Sequence, residues 1–220
     1  MTIALTRPDG VHILTRATLL QLADDELLRV FAAGLIPNAL AQIEAPDRAT
    51  RTLAHTLHHV EPQTVPLVLA LLVLDAEVSG VIGETRRVLP LAGFLAYRAD
   101  LSSEKFTFDM VRLPPLNPDG HYLLNGAADF SCAVRLDLHP RLKVAGHVRV
   151  AISSSTHSPQ RLQDTEHRLD RQAPAAELIV VAVAAGSQEL STPLTQAQQS
   201  SLIETIGGVG SVDISSNMSF

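Results

Sequence analysis

The chain has 220 residues, 46% of them hydrophobic, and its formal net charge at pH 7 is −6. This length and hydrophobic share are sufficient for a buried core and exclude a chain that is disordered throughout. The negative charge argues against nucleic-acid binding, which needs clustered Lys and Arg, because the only lysines are Lys105 and Lys143. A single cysteine, Cys132, excludes an intrachain disulfide and an all-cysteine metal site.

The sequence carries no targeting or membrane signal. Its start, Met1–Arg7, lacks the charged region and apolar run of a signal peptide. The most apolar stretches, Val65–Leu74 and Leu178–Ala185, are much shorter than the roughly 20 residues that a membrane span requires. We therefore predict a soluble, cytoplasmic protein without membrane contact.

The first elements are a short strand and a helix. Val11–Leu14 follows an Asp-Gly turn and is typical of a strand. Thr18 is the predicted N-cap of one helix over Leu19–Phe31, whose leucines recur at helical spacing. Gly34 then ends this helix, and Ala39–Glu44 is predicted to form a further helical turn.

The next segment alternates between apolar and polar stretches. Val65–Leu74 predicts a buried helix or strand; its Ala-Leu-Leu favours helix, but periodicity alone does not decide. Asp75–Val78 and Arg86–Pro90 predict two strands, and Leu91–Tyr97 predicts a short helix. Phe106–Leu113 alternates apolar and polar residues, as a half-buried strand does.

The segment Pro114–Gly120 is the strongest break in the chain, because Pro, Asn, Asp and Gly all favour turns. We place a domain boundary here, between residues 1–114 and 115–220. The elements predicted after it are strands Phe130–Leu138 and Ala145–Ser153 around a turn at 139–141, helices Gln160–Asp170 and Ala175–Ala185, and a loose tail from Gly207. Strands and helices are mixed without strict alternation, which indicates an α+β fold.

Three clusters resemble functional motifs but lack the residues that would complete them. His55, His58 and His59 have no H-E-x-x-H pattern or second ligand group, so we predict no metal site. The segment Ser153–Ser158 sets hydroxyls beside a histidine, but without a G-x-S-x-G motif or acid partner we predict no catalytic role. Gly207–Gly210 follows no strand, which argues against a nucleotide loop, and Cys132 is predicted to be a buried small hydrophobe.

Several segments, in this order, carry a family resemblance. They are Gln42-Ile43, Arg48, Thr52-Leu53, His59, Glu61-Pro62, Leu71–Val78, Arg87–Phe94, Leu101–Pro114, Ala133–Leu136, Ser158-Pro159, Glu166 and Leu169. Together they resemble the FAD-carrying medium subunit of molybdenum hydroxylases, the family of xanthine dehydrogenase and carbon monoxide dehydrogenase. The resemblance implies the second lobe of the FAD-binding domain over residues 1–114 and a C-terminal α+β domain over 115–220.

The resemblance also implies a function. In that family the flavin accepts electrons from iron–sulphur clusters, which a molybdenum centre on another subunit fills, and the cofactor does the redox chemistry. The FAD-contacting residues carried over to this chain are Thr52, Leu53, Thr56 and His59. Implied partners are molybdenum-binding and iron–sulphur subunits, or a chain that supplies the family's first, glycine-rich lobe, which is missing here; an enzyme of this kind would not be active alone.

The chain departs from the family where the cofactor would bind. The family's T-I-G-G-N loop is Thr52-Leu53-Ala54-His55-Thr56, so both glycines that let a pyrophosphate approach the backbone are replaced. The family's ribose-binding Asp also has no counterpart in Glu61–Pro66. A nanomolar site has only about 12 kcal/mol of binding free energy. The departures therefore predict weak or no FAD binding by this chain alone, and the alternative function is a cofactor-free assembly or interaction module.

Overall fold

The computed structural model describes residues 3–98, 106–117, 120–127, 129–139, 141–142 and 144–211. These residues form two antiparallel sheets with helices packed against them, which confirms the predicted mixture of helix and sheet. The strands are β1 Ala4–Arg7, β2 Gly10–Leu14, β3 Glu77–Ile82, β4 Thr85–Pro90, β5 Thr107–Leu113, β6 Gly120–Ala127, β7 Phe130–Leu138, β8 Ala145–Ser154 and β9 Gln160–Arg161. The α-helices are α1 Leu19–Asp24, α2 Glu26–Val30, α3 Leu35–Ala41, α4 Ala45–Thr50, α5 Leu53–His58, α6 Val65–Val73, α7 Leu91–Tyr97, α8 Gln163–Leu169, α9 Ala176–Gln188 and α10 Gln196–Ser211.

The first sheet has the strand order β1-β2-β5-β3-β4. Its central strand, β5, was predicted from alternation, and the alternation is interrupted once. Phe108, Val111 and Leu113 are buried, whereas Thr107 and Asp109 are exposed. Ser79 pairs with Met110 and Gly80 with Phe108, so Asp109 is the extra residue of a bulge. Successive side chains of a strand point to opposite faces, and the bulge brings Phe108 to the same buried face as Val111 and Leu113.

Helix α6 lies between the two halves of the molecule. Every residue from Pro66 to Val73 is buried, because α6 packs against α3 on one side and against β7 and β8 of the second sheet on another. The segment Val65–Leu74, which could be helix or strand from its sequence, is therefore mainly helical. A helix that is buried on every side can be apolar on every side, which explains the absence of polar residues in α6. Ala133 of β7 and Ala151 of β8 belong to the same core as α6. The two halves thus share packing, and their division into two domains after residue 114 stays a prediction.

The second sheet has the order β6-β7-β8-β9 and separates two environments. In β7, Cys132, Val134 and Leu136 lie in a core formed with α8, α9 and α10. The alternate residues of β7 point to the opposite face, where Ala133 contacts the core around α6. That second face also carries charged side chains, including Arg135.

Two helical predictions in the first half of the chain were wrong. The helix predicted over Leu19–Phe31 is broken at Asp25, whose backbone is extended and whose carboxylate accepts a hydrogen bond from the amide of Leu28. Asp25 is therefore the N-cap of α2 and not an interior residue of one continuous helix. Helix α3 begins at Leu35, earlier than predicted. It accommodates Pro37 in its first turn, where the missing amide would have no partner within the helix.

Other differences lie in the second half. Strand β6 was not predicted, Gln160–Arg161 pairs with β8 instead of opening a helix, and α10 was missed. The tail predicted to be loose from Gly207 is helical to residue 211. Residues 212–220 lie outside the described ranges, as do 118–119 of the predicted break, 101–105 of the resemblance and Pro140 of the predicted turn. Each helix of the described ranges is too short or too polar to cross a lipid bilayer.

Candidate functional site

A cleft of about 680 Å³ lies between the two halves, and we call it the inter-half cleft. Gln42, the segment Val60–Pro66 and Arg98 line it from the first half. The turn around Asp129 and the segment Ser153–Pro159 line it from the second half. Its volume is in the range of small-molecule sites.

His157 anchors the second-half wall of this cleft. Its ring is buried, and Nε2 lies 2.7 Å from the carbonyl oxygen of Thr192, so this nitrogen is the donor. Nδ1 then accepts hydrogen bonds, with the hydroxyl oxygens of Ser154 and Thr156 at 2.9 and 3.0 Å. The amides of Ser154 and His157 also bond each other's carbonyls, so the histidine fixes a turn. No carboxylate of the described chain hydrogen-bonds this ring.

Glu61 faces the cleft from the first half. Its carboxylate accepts hydrogen bonds from Arg51 at 2.5 Å and from the side chain of Gln63 at 2.6 Å. The hydrogen bond from Arg51 is the main cause that lowers the pKa of Glu61. Glu61 therefore stays ionised, and its charge is compensated within the chain.

The four predicted FAD-contacting residues lie on and around α5. Leu53 and Thr56 are fully buried, and the Thr56 hydroxyl donates to the carbonyl oxygen of Thr52 at 3.1 Å. Thr52 is the N-cap of the helix and is partly exposed, and His59 is its exposed C-cap. Only Thr52 and His59 therefore reach the surface, at opposite ends of a helix of six residues. None of the four lines the inter-half cleft.

The backbone amides at the start of α5 are already hydrogen-bonded. Those of Leu53 and Ala54 donate to the carbonyls of Ala17 and Thr15, at 3.0 and 2.8 Å. The backbone amide of His55 donates to the hydroxyl of Thr52 at 3.2 Å. A pyrophosphate binds to such a loop through free amides. This conformation therefore does not fit a pyrophosphate, because each of the three amides has an acceptor inside the chain.

The histidine rings of α5 and its C-cap contact one another and two phenylalanines in tilted or edge-on arrangements. The ring centroids of His55 and His59 are 4.9 Å apart, and His58 packs 4.5 Å from Phe108 and 6.0 Å from Phe94. Burial, followed by the charge of His59, lowers the pKa of His58. In the described part of the chain, no group of three His, Cys, Asp or Glu side chains is placed to hold a metal ion.

The predicted burial of Cys132 is confirmed. Its side chain is fully buried, its thiol donates to the hydroxyl of Thr205 at 3.4 Å, and burial raises its pKa to about 11. A thiol of this kind stays protonated at neutral pH and is a poor nucleophile.

A charged cluster that sequence reasoning missed joins the two halves. Asp75, at the end of α6, accepts hydrogen bonds from His147 Nε2 at 2.9 Å, Arg149 Nε at 2.7 Å and Arg161 Nη1 at 2.8 Å. Arg161 also binds Glu166 of α8. The three donors come from β8 and β9, more than 70 residues beyond Asp75, with separations of 72, 74 and 86. No local pattern links residues so far apart, so only the fold reveals the cluster.

Comparison with known proteins gives relatives by structure alone. No protein-family model matches the chain, and no curated protein does. A carbon monoxide dehydrogenase from Hydrogenophaga pseudoflava, in a form that lacks the Mo-pyranopterin moiety of the molybdenum cofactor, aligns with a TM-score of 0.78 and 15% identity over 94% of this chain and 75% of that one.

Two further structures align almost as well. Quinoline 2-oxidoreductase from Pseudomonas putida 86 and carbon monoxide dehydrogenase from Oligotropha carboxidovorans each have a TM-score of 0.68 and 14% identity, over 94% of this chain and 74% of theirs. At such identities the likeness shows the fold. The resemblance seen in the sequence is thereby confirmed: this chain has the fold of chains from carbon monoxide dehydrogenase and quinoline 2-oxidoreductase, which are molybdenum hydroxylases.

Proposed function

We propose that this chain is a component of a molybdenum-hydroxylase-type oxidoreductase, in the position of its flavin-carrying subunit. The observation that carries the proposal is the fold match, which covers 94% of this chain at a TM-score of 0.78. The family-like segments between Gln42 and Leu169 occur in family order, which supports the same assignment independently of the coordinates. Its partners would be molybdenum-binding and iron–sulphur chains, and the molybdenum chain would select the substrate.

Whether the chain carries FAD is a separate question, because fold does not imply function. Thr52, Leu53, Thr56 and His59 are the residues proposed to contact it. Two of these side chains are buried, and the neighbouring amides are bonded to carbonyls of Thr15 and Ala17. Binding of a pyrophosphate at this point would first have to open those hydrogen bonds.

This geometry favours a second candidate function, a cofactor-free component that acts in assembly. Ala54 and His55, which replace the family's glycines, lie inside α5 with helical backbone angles. They therefore form part of a regular helix and do not belong to a phosphate-binding loop with positive φ angles. In this role the chain would keep the subunit's shape and contacts without its redox centre.

The visible absorption spectrum of the purified chain separates the two candidates. It is recorded before and after incubation with excess FAD and desalting, alongside the variant Ala54→Gly/His55→Gly, which restores both family glycines. Flavin bands that survive desalting in the unmodified chain support the FAD-carrying component. A colourless chain, with bands retained by the glycine variant alone, identifies residues 54 and 55 as the cause and leaves the cofactor-free component.

Membership of the assembly is tested by a different measurement. The tagged full chain is purified from its source cells at low salt, and the eluate is analysed for co-eluting chains and for molybdenum and iron. We expect chains that carry both metals at a fixed ratio to this one. A chain that elutes alone and without either metal would refute both candidates.

A further inference from the structure

We propose that the inter-half cleft binds a small ligand through a carboxylate or phosphate group that pairs with Arg98. This inference does not rest on the proposed function, because the resemblance assigns no role to Arg98 or to the serines of the cleft. One wall, Glu61–Pro66, is the segment in which the family's ribose-binding Asp would lie, and that Asp is absent here. The cleft has walls from both halves, and its volume of about 680 Å³ is enough for a metabolite-sized molecule.

The first observation is an uncompensated cation. Arg98, at the end of α7, lines the cleft, and its Nη1 atom is shielded from solvent without a hydrogen-bond partner. In the described ranges this side chain makes neither an ion pair nor a hydrogen bond. Burying a charged donor without an acceptor is unfavourable. Since Arg98 lines the cleft, a rotation of its guanidinium would bring Nη1 to an acceptor held there.

The second observation is a set of free hydroxyl groups on the opposite wall. Ser131, Ser155 and Ser158 line the cleft, and in the part of the chain that the structure describes their hydroxyl groups have no hydrogen-bond partner. The neighbouring hydroxyls of Ser154 and Thr156 differ, because His157 engages both. The cleft thus contains one cation and several hydroxyl donors, which suits an oxyanion that carries further polar groups.

The carboxylates near the cleft define the charge of the ligand. The carboxylate of Glu61 already accepts hydrogen bonds from Arg51 and from the side-chain amide of Gln63, so it does not compete with a ligand for Arg98. Asp129 is exposed at the cleft and has no ion-pair partner among the described residues. Like charges repel at short range, so Asp129 selects against polyanions and favours a ligand with one anionic group.

Binding is tested by thermal shift and calorimetry of the full chain, in a buffer free of carboxylate and phosphate. Gluconate and glycerol 3-phosphate are the anionic probes, and glucose and glycerol are their neutral counterparts. We expect one anionic probe to raise the unfolding midpoint while both neutral compounds leave it unchanged. Which anion binds decides between a carboxylate and a phosphate group; binding of neither would overturn the proposal.

Variants locate the binding. Arg98→Met should weaken binding roughly ten- to hundredfold, as loss of a charged hydrogen bond does. Arg87→Met is the matched control, because Arg87 is exposed on β4, away from the cleft, and should leave affinity unchanged. Without ligand, Arg98→Met should not lower the unfolding midpoint, whereas a structural role for Arg98 predicts that it does. Equal loss of affinity in both variants would refute the site.

Discussion

Replacing Asp75 by asparagine should weaken the attachment between the two halves of the molecule. Asp75 lies at φ 52°, in the left-handed region. Asparagine tolerates that region better than most residues, so Asp75→Asn removes the charge with little added backbone strain. It leaves His147, Arg149 and Arg161 without the carboxylate that they share.

The size of the effect follows from the surroundings of this carboxylate. Burial raises the pKa of Asp75, but the hydrogen bonds from His147 and Arg149 outweigh it and lower the pKa from 3.8 to about 2. Such a shift corresponds to about 2 kcal/mol in favour of the ionised form. Breaking a fully buried ion pair costs about 3–5 kcal/mol. Asp75 is 24% exposed, and Arg161 keeps Glu166, so we expect a loss of about 2–3 kcal/mol.

Urea unfolding followed by circular dichroism measures this loss. The matched control is Asp109→Asn, which also breaks an Asp–Arg pair, at 3.0 Å with Arg86, but with side chains that are 39% and 65% exposed. A surface pair of this kind contributes about 0–1 kcal/mol. If Asp75→Asn loses no more stability than Asp109→Asn, the cluster does not join the halves and the reasoning fails.

The same cluster predicts a pH dependence. Because the folded pKa of Asp75 is lowered, the unfolded chain binds more protons between pH 3.8 and about 2. The stabilisation is therefore complete above pH 3.8 and is lost as the pH falls towards about 2. Asp75→Asn should flatten the pH dependence of unfolding in this window, and an unchanged profile would contradict the assignment.

Three further predictions concern single side chains. The pKa of folded His58 is lowered, chiefly by burial, so stability should fall as the pH drops below 6.5 and the unfolded chain takes up the proton; His58→Gln should flatten that slope in pH-dependent urea unfolding. Gly186→Ala should cost about 1–3 kcal/mol, because its Cβ would lie 2.0 Å from Thr165 Oγ1. Gly207→Ala, in open space within α10, should instead stabilise by about 0.5–1 kcal/mol, and similar unfolding midpoints for the two variants would refute the contact. Cys132, with a pKa of about 11, should react with a thiol reagent at neutral pH only in denaturant, as measured by mass spectrometry; rapid labelling of the folded chain would contradict its burial.

Local patterns predicted most of the regular elements correctly. The N-cap at Thr18, strand β5 and the helix at Leu91–Tyr97 all depend on residues close in sequence. The order of short segments between Gln42 and Leu169 was enough to indicate the fold that structural comparison then confirmed. Where local prediction failed, one residue had two roles: Asp25 fits a polar helix face and an N-cap equally well, and tertiary packing selects the cap.

The amino-acid sequence by itself determined most of the helices and strands, the burial of Cys132 and the replacement of the glycines in the cofactor loop. Those properties follow from side-chain spacing and residue type. Only the tertiary structure decided that Asp75 meets His147, Arg149 and Arg161, that Arg98 faces a cleft without a partner, and that the amides at α5 are bonded to Thr15 and Ala17. The physical reason is that hydrogen bonds and burial depend on distances in space between residues that are far apart in the chain.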